Sequence, residues 1–158
     1  MPHFPEILLV EDSKDDRDLF QLATLRSGIQ ASLTYAVDAP DAFYRLSHMG
    51  KYQDRRLPDL IVLDLGLPGL KGSTLLDVIR HSTVSKRIAV VVWTGSERES
   101  DRARCEAIGI QEFFIKPQTF ASLVSFVGAL PRFFPTPAAL DPKRAGYKTP
   151  LPEQSFSN

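Results

Sequence analysis

Asp64 closes an apolar run, Leu60-Ile61-Val62-Leu63, and opens a turn, Leu65-Gly66-Leu67-Pro68-Gly69. A short apolar run stopped by a carboxylate and a Pro/Gly turn reads as a buried strand that delivers an acid to the rim of a sheet. Three other apolar runs stop in a similar way. Ile7–Val10 leads into Glu11-Asp12, Ala89–Trp93 into Thr94, and Phe113-Phe114-Ile115 into Lys116-Pro117. If the four strands are parallel neighbours, an acid pair, an acid, a hydroxyl and an amine gather at one edge. That edge is where open α/β sheets place ligands and chemistry.

Three carboxylates at close quarters repel unless they are protonated or bridged by a cation. Oxygen-only donors favour Mg²⁺, which keeps several waters and pairs readily with phosphate. Asp12 and Asp64 would bind it directly and Glu11 through water. The backbone carbonyl of Gly66 would complete the set. An Asp carboxylate can also attack phosphorus and form an acyl phosphate, and Asp64 is best placed for this. Phosphoryl transfer then needs positioning and charge neutralisation more than covalent help. Lys116 supplies a cation and Thr94 a hydroxyl donor, with backbone N–H groups near Gly95. Pro117 raises the prior for a cis bond that would aim Lys116 inward.

These residues need a scaffold of alternating strands and helices. The expected strands are Ile7–Val10, a weaker Leu33–Val37, Leu60–Asp64, Ile88–Trp93 and Glu112–Ile115. The expected helices are 14–27, capped by Ser13 and stopped by Gly28, then 40–49, 73–81, 97–108 and 120–130. In the third helix Leu75, Leu76, Val78 and Ile79 are expected to face inward. Lys51–Pro58 is polar and basic, and reads as an exposed connection. The alternation favours a parallel sheet with right-handed crossovers, covered on both faces. The most apolar strands, one, three, four and five, should be central, and the second should lie at an edge. This gives an α/β fold, a flavodoxin-like (βα)5 three-layer sandwich of order 2-1-3-4-5. One domain spans residues 1–134. From Pro135 onward, residues 135–158 read as a Pro-rich tail, extended or disordered.

Composition narrows the class. The 158 residues carry 19 Lys plus Arg against 19 Asp plus Glu. This balance gives no reason to expect nucleic-acid or membrane binding. The single cysteine, Cys105, excludes an intrachain disulfide and reads as an ordinary helix residue. No apolar stretch approaches the ~20 residues of a membrane span, and no signal peptide is visible. A cytoplasmic protein is expected. His3, His48 and His81 share no spacing with other ligands. Arg55-Arg56 and Lys86-Arg87 read as solvated surface.

Taken together, Ile7-Leu8-Leu9-Val10-Glu11-Asp12, the run from Pro58 to Pro68, Val91-Val92-Trp93-Thr94-Gly95 and Ile115-Lys116-Pro117 resemble the receiver domain of bacterial two-component response regulators. Each piece alone is weak, but four in this order are highly specific, and the resemblance covers roughly residues 6–134. It implies that Asp64 accepts phosphate from a phosphohistidine of a sensor histidine kinase. It further implies that Glu11 and Asp12 bind Mg²⁺, and that Thr94 and Lys116 contact the phosphoryl group. Phe113 matches the aromatic switch position of the family. On phosphorylation Thr94 would move toward the phosphate and Phe113 would turn inward, altering the face of the fourth helix, fifth strand and fifth helix. Departures are Gly66, smaller than the residue frequent there, and the bulky Trp93. The lack of a following DNA-binding region resembles single-domain regulators. The 50–58 connection and the aromatic end of the last helix resemble regulators that partner bacterial phytochromes, so the kinase expected is a bacteriophytochrome.

The last helix carries two apolar stripes. Phe120, Leu123, Val124 and Val127 suit the core. Phe126, Leu130, Phe133 and Phe134 form a second stripe that one sheet face would not bury; it either folds under the tail or forms a twofold dimer surface, and a homodimer is expected. Rival functions remain. A Mg²⁺-dependent aspartyl-phosphate phosphatase needs a second Asp where Gly66 stands. A flavodoxin-like cofactor binder needs a phosphate loop where Glu11-Asp12 would repel phosphate. A receiver-like, non-phosphorylated interaction module would have lost a key position, and none is missing.

Overall fold

The computed structural model describes residues 3–116 and 119–136. Five strands alternate with five helices: β1 (Glu6–Val10), α1 (Lys14–Ser27), β2 (Ser32–Ala36), α2 (Ala39–Leu46), β3 (Leu60–Leu63), α3 (Gly72–His81), β4 (Ala89–Thr94), α4 (Glu99–Ile108), β5 (Glu112–Ile115) and α5 (Phe120–Ala129). All strand pairs are parallel, in the order β2-β1-β3-β4-β5. The expected strand order is therefore the observed one.

Alternation along each strand splits the core into two layers. Leu8, Val10, Ile61, Leu63, Val90 and Val92 face one way, against α2, α3 and α4. Ile7, Leu9, Leu60, Val62, Val91 and Trp93 face the other way, against α1 and α5. β1, β3 and most of β4 are buried on both faces, which is why they read as unbroken apolar runs. β5 is apolar yet lies at the opposite edge from β2. Its Glu112 and Ile115 are exposed, so the expectation that it is central is corrected.

Local chemistry sets the helix ends. The Ser13 hydroxyl accepts from the Asp16 N–H, and Gly28 closes α1 at φ 72°. α2 starts one residue before Pro40, because Asp38 caps it by accepting from the Asp41 N–H. It stops at Leu46 and not at Met49, where His48 enters the left-handed region at φ 54°. α3 buries Leu75, Leu76 and Ile79, but Val78 is exposed. A helix turning ~100° per residue puts only one arc on the sheet.

Two other expectations are corrected. The 51–58 connection is not simply exposed. Its 3₁₀ turn, Gly50–Tyr52, buries Tyr52, whose hydroxyl donates to Asp41 Oδ1 at 2.9 Å, and Leu57 joins the core. The two apolar anchors are interleaved with basic residues, which hid them. The second stripe of the last helix is also largely internal. Phe126 stacks on Trp93 and packs edge-on against Phe20, Leu130 is fully buried, and Phe133 and Phe134 are partly buried against the same core. The groove between α1 and α5 holds what a lone sheet face would not, so the argument that carried a twofold dimer loses its main residues. The proposed tail from residue 137 onward lies outside the described residues. Among the described residues, no helix is long and apolar enough to cross a membrane.

Candidate functional site

Register brings the site together. Val10 pairs with Leu63, Leu63 with Val92, and Thr94 with Ile115. The ladder runs one residue further at each end. Glu11 N–H donates to Ala36 O at 3.0 Å, Asp64 N–H to Val10 O at 3.1 Å, and Lys116 N–H to Thr94 O at 2.7 Å. Those bonds fix the backbone of Glu11, Asp64 and Lys116 at the carboxyl edge before any side chain acts.

The carboxylates converge there. Oxygens of Glu11, Asp12 and Asp64 lie within 4.8 Å of one another. Glu11 has no exposed surface and Asp64 is 5% exposed, while Asp12 faces solvent. Glu11 Oε1 accepts from the Ser13 N–H at 3.1 Å, and the Arg17 guanidinium holds the carbonyls of Glu11 and Asp12, each at 2.9 Å. On the other side, Asp64 Oδ1 accepts from the Gly66 N–H at 3.0 Å. Gly66 itself is exposed.

Lys116 reaches into this cluster from β5. Its Nζ donates to Asp16 Oδ2 at 2.6 Å, Glu11 Oε2 at 2.8 Å and Asp64 Oδ2 at 3.1 Å. It also sits 4.8 Å from the centre of the Trp93 ring, within cation–π range. Thr94 is buried, and its Oγ1 accepts from the Ser96 N–H at 3.2 Å. It makes no hydrogen bond to Asp64 among the described residues. Phe113 is already buried, with the Arg102 guanidinium 5.1 Å from its ring centre. Pro117 lies outside the described residues, and with it the expected cis bond.

Charge follows from this packing. Burial lifts the Glu11 carboxyl from its ordinary 4.5 to about 7; the hydrogen bond from Lys116 opposes the rise and the Asp64 charge adds to it. Burial pulls the Lys116 ammonium down, but hydrogen bonds to Asp16 and Glu11 and the Asp64 charge outweigh it, and its pKa rises. The site thus gathers more negative charge than one ammonium offsets. An all-oxygen donor set with a strained buried acid fits a hard divalent cation such as Mg²⁺. Glu11, Asp12 and Asp64 would hold it. Gly66, expected to add its carbonyl, is beside Asp64.

Four contributors escaped the sequence reading. Asp16, four residues after Asp12, is the shortest partner of Lys116. Arg17 clamps the acid loop. Trp93, noted only for bulk, carries the ammonium on its face. Gly72 opens α3 against the Asp64 backbone, and a Cβ there would stand 2.4 Å from Asp64 O and 2.7 Å from Leu65 Cα. The Ser13-x-x-Asp16 cap spacing was a usable signal for Asp16, and a glycine at a helix start was one for Gly72.

Known proteins share this arrangement. The response regulator receiver domain pattern matches residues 7–127. Response regulator Rcp1 of Synechocystis sp. is 34% identical over 128 residues, 81% of this chain and 87% of the relative. The structure of the phosphorylated cyanobacterial phytochrome response regulator RcpA has a TM-score of 0.77 and 31% identity, over 84% of this chain and 94% of that one. The Mn²⁺-bound form of response regulator Rcp1 gives 0.76 and 33%, over 84% and 99%. With five parallel strands in this order and an acid cluster facing a lysine at their carboxyl edge, the chain belongs to the response regulator receiver domain family.

Proposed function

We propose that this receiver domain takes a phosphoryl group onto Asp64 from the phosphohistidine of a sensor histidine kinase, and changes its α4-β5-α5 surface in response. An Asp64 carboxylate oxygen attacks phosphorus, the P–N bond breaks, and the imidazole leaves with the bonding electrons. The product is an acyl phosphate. When bound by Glu11, Asp12 and Asp64, Mg²⁺ would neutralise charge on the transferring group. The Gly66 N–H orients Asp64 through Oδ1. Lys116 Nζ, 3.1 Å from Asp64 Oδ2, balances the charge that arrives there. Thr94 gives up the Ser96 N–H, donates to a phosphoryl oxygen, and so couples Asp64 to β4. The Arg102–Phe113 contact on β5 lies in the path of that movement.

The observation that carries this reading is the approach of Lys116 Nζ to Asp64 beside a three-carboxylate cluster. RcpA is a phytochrome response regulator by its description, which supports a bacteriophytochrome as the kinase. The test is incubation with acetyl phosphate and Mg²⁺, read by intact mass. Wild type gains one phosphoryl group, and Asp64→Asn gains none. Equal labelling of both proteins would remove Asp64 from the role.

A further inference from the structure

Lys116 has three N–H donors, and all three are engaged, by Asp16, Glu11 and Asp64. Asp16 differs from the other two. It stands outside the group that would hold a cation. Its backbone N–H is capped by Ser13, but its carboxylate makes one hydrogen bond among the described residues, to Lys116. At 2.6 Å that bond is the shortest of the three. The Asp16 side chain is 33% exposed, whereas those of Glu11 and Asp64 are 1% and 8% exposed.

We propose that Asp16 is a positioning residue that acts through Lys116, as an acidic latch that retains the ammonium beside α1 until a phosphoryl group on Asp64 draws it off. This rests on the reading of Asp64 as phosphoacceptor. A phosphoryl group brings roughly −1.5 to −2 of charge and strong acceptor oxygens. The N–H held by Asp64 passes to the phosphoryl group that forms there, and any further phosphoryl contact requires Lys116 to release Glu11 or Asp16. Glu11 is enclosed, and abandoning it would leave a buried acid unpaired. Asp16 meets water when released, so its bond is the least costly to give up. The latch sets how readily Lys116 moves, and therefore how tightly a phosphoryl analogue is held.

Trp93 is the sole tryptophan and lies under the ammonium, so its fluorescence follows the movement. The experiment titrates beryllofluoride at saturating Mg²⁺, with binding read by ¹⁹F NMR in every protein and by Trp93 fluorescence where Lys116 is present, into wild type, Asp16→Asn, Asp16→Glu, Lys116→Met and the double variant Asp16→Asn/Lys116→Met. Asp16→Asn should bind about threefold to fivefold tighter, the size of a partly exposed ion pair. Asp16→Glu, which keeps the charge, should stay near wild type. Adding Asp16→Asn to Lys116→Met should change nothing. An equal gain in both backgrounds would overturn the latch, because charge repulsion from Asp16 alone would explain it. Unchanged or weaker binding by Asp16→Asn would overturn it too. If Asp16→Asn does not fold, Asp16→Ala is read by the same criteria. A wild type without any response overturns the phosphoacceptor reading and the latch together, whereas a responsive wild type with an indifferent Asp16→Asn removes the latch alone.

Discussion

Without metal, this protein should lose stability as pH rises from about 4.5 to 7, because of Glu11. Burial raises the Glu11 carboxyl from 4.5 to about 7. Between those values the folded state holds a proton that the unfolded chain has released. Stability falls with rising pH wherever the native state binds the extra proton. Below pH 4.5 both states are protonated and no penalty exists; above pH 7 both are ionised and the penalty is complete. The rise corresponds to about 3 kcal/mol. Lys116 does not contribute to this slope, since its pKa is raised and it stays charged throughout. The assay is urea denaturation in a chelating buffer, followed by Trp93 fluorescence, at steps across this interval. Glu11→Gln supplies the reference, as it cannot titrate. Wild type should lose about 3 kcal/mol relative to Glu11→Gln between the two ends. Mg²⁺ should flatten the wild-type slope, because a bound cation favours the ionised carboxyl. Parallel curves for wild type and Glu11→Gln would refute the reasoning.

Other outcomes follow from the same contacts. Lys116→Met leaves Glu11 and Asp64 facing each other without their ammonium, and should cost the metal-free protein about 2–3 kcal/mol, discounted for the partial exposure of Lys116. Saturating Mg²⁺ should restore much of this loss in the same urea titration; a metal-free variant as stable as wild type would contradict the role of the charge. Gly72→Ala places a Cβ 2.4 Å from Asp64 O, so it should cost about 2–3 kcal/mol of stability. It should also slow labelling by acetyl phosphate, and an unchanged melting temperature would count against the close approach. Tyr52→Phe removes the bond to Asp41 and should cost about 1 kcal/mol. Beryllofluoride binding should not change in that variant, since Tyr52 belongs to α2 and its turn rather than the site.

The legible parts of this chain were those where one physical effect dominates. Leu60–Leu63 and Val90–Val92 lie in strands buried on both faces, so they leave continuous apolar runs whose ends can be read directly. Parallel pairing then forces Glu11, Asp64, Thr94 and Lys116 to a common edge. The hidden parts were those that depend on a second element. Tyr52 and Leu57 are buried only because α2 and the core beside it accept them. Phe126 reads as surplus on its own helix, but Phe20 and Trp93 supply its pocket. Asp16 is one of two acids in the first turn of α1. Its meaning comes from a lysine 100 residues away.

That long-range pairing explains why the site holds its own ammonium. Lys116 is shared by the carboxylates of Glu11, Asp16 and Asp64, and the Asp12 carboxylate stands beside those of Glu11 and Asp64. A cluster so unbalanced would drive its own buried member to take up a proton, and Glu11 moves in that direction. Lys116 limits the imbalance but cannot cancel it. A divalent cation therefore has a reason to bind there, and on the proposed function an arriving phosphoryl group would find Lys116 Nζ 3.1 Å from Asp64 Oδ2. Because the ammonium is shared between a hydrated acid and buried ones, its position can change at modest cost. On the proposed function such a shift would be felt along β5, whose end is tied to β4 by the Lys116 N–H to Thr94 O bond, with Phe113 three residues back on that strand. The same bonds that contain repulsion in this structure are thus the ones through which the proposed phosphorylation of Asp64 would reach β5.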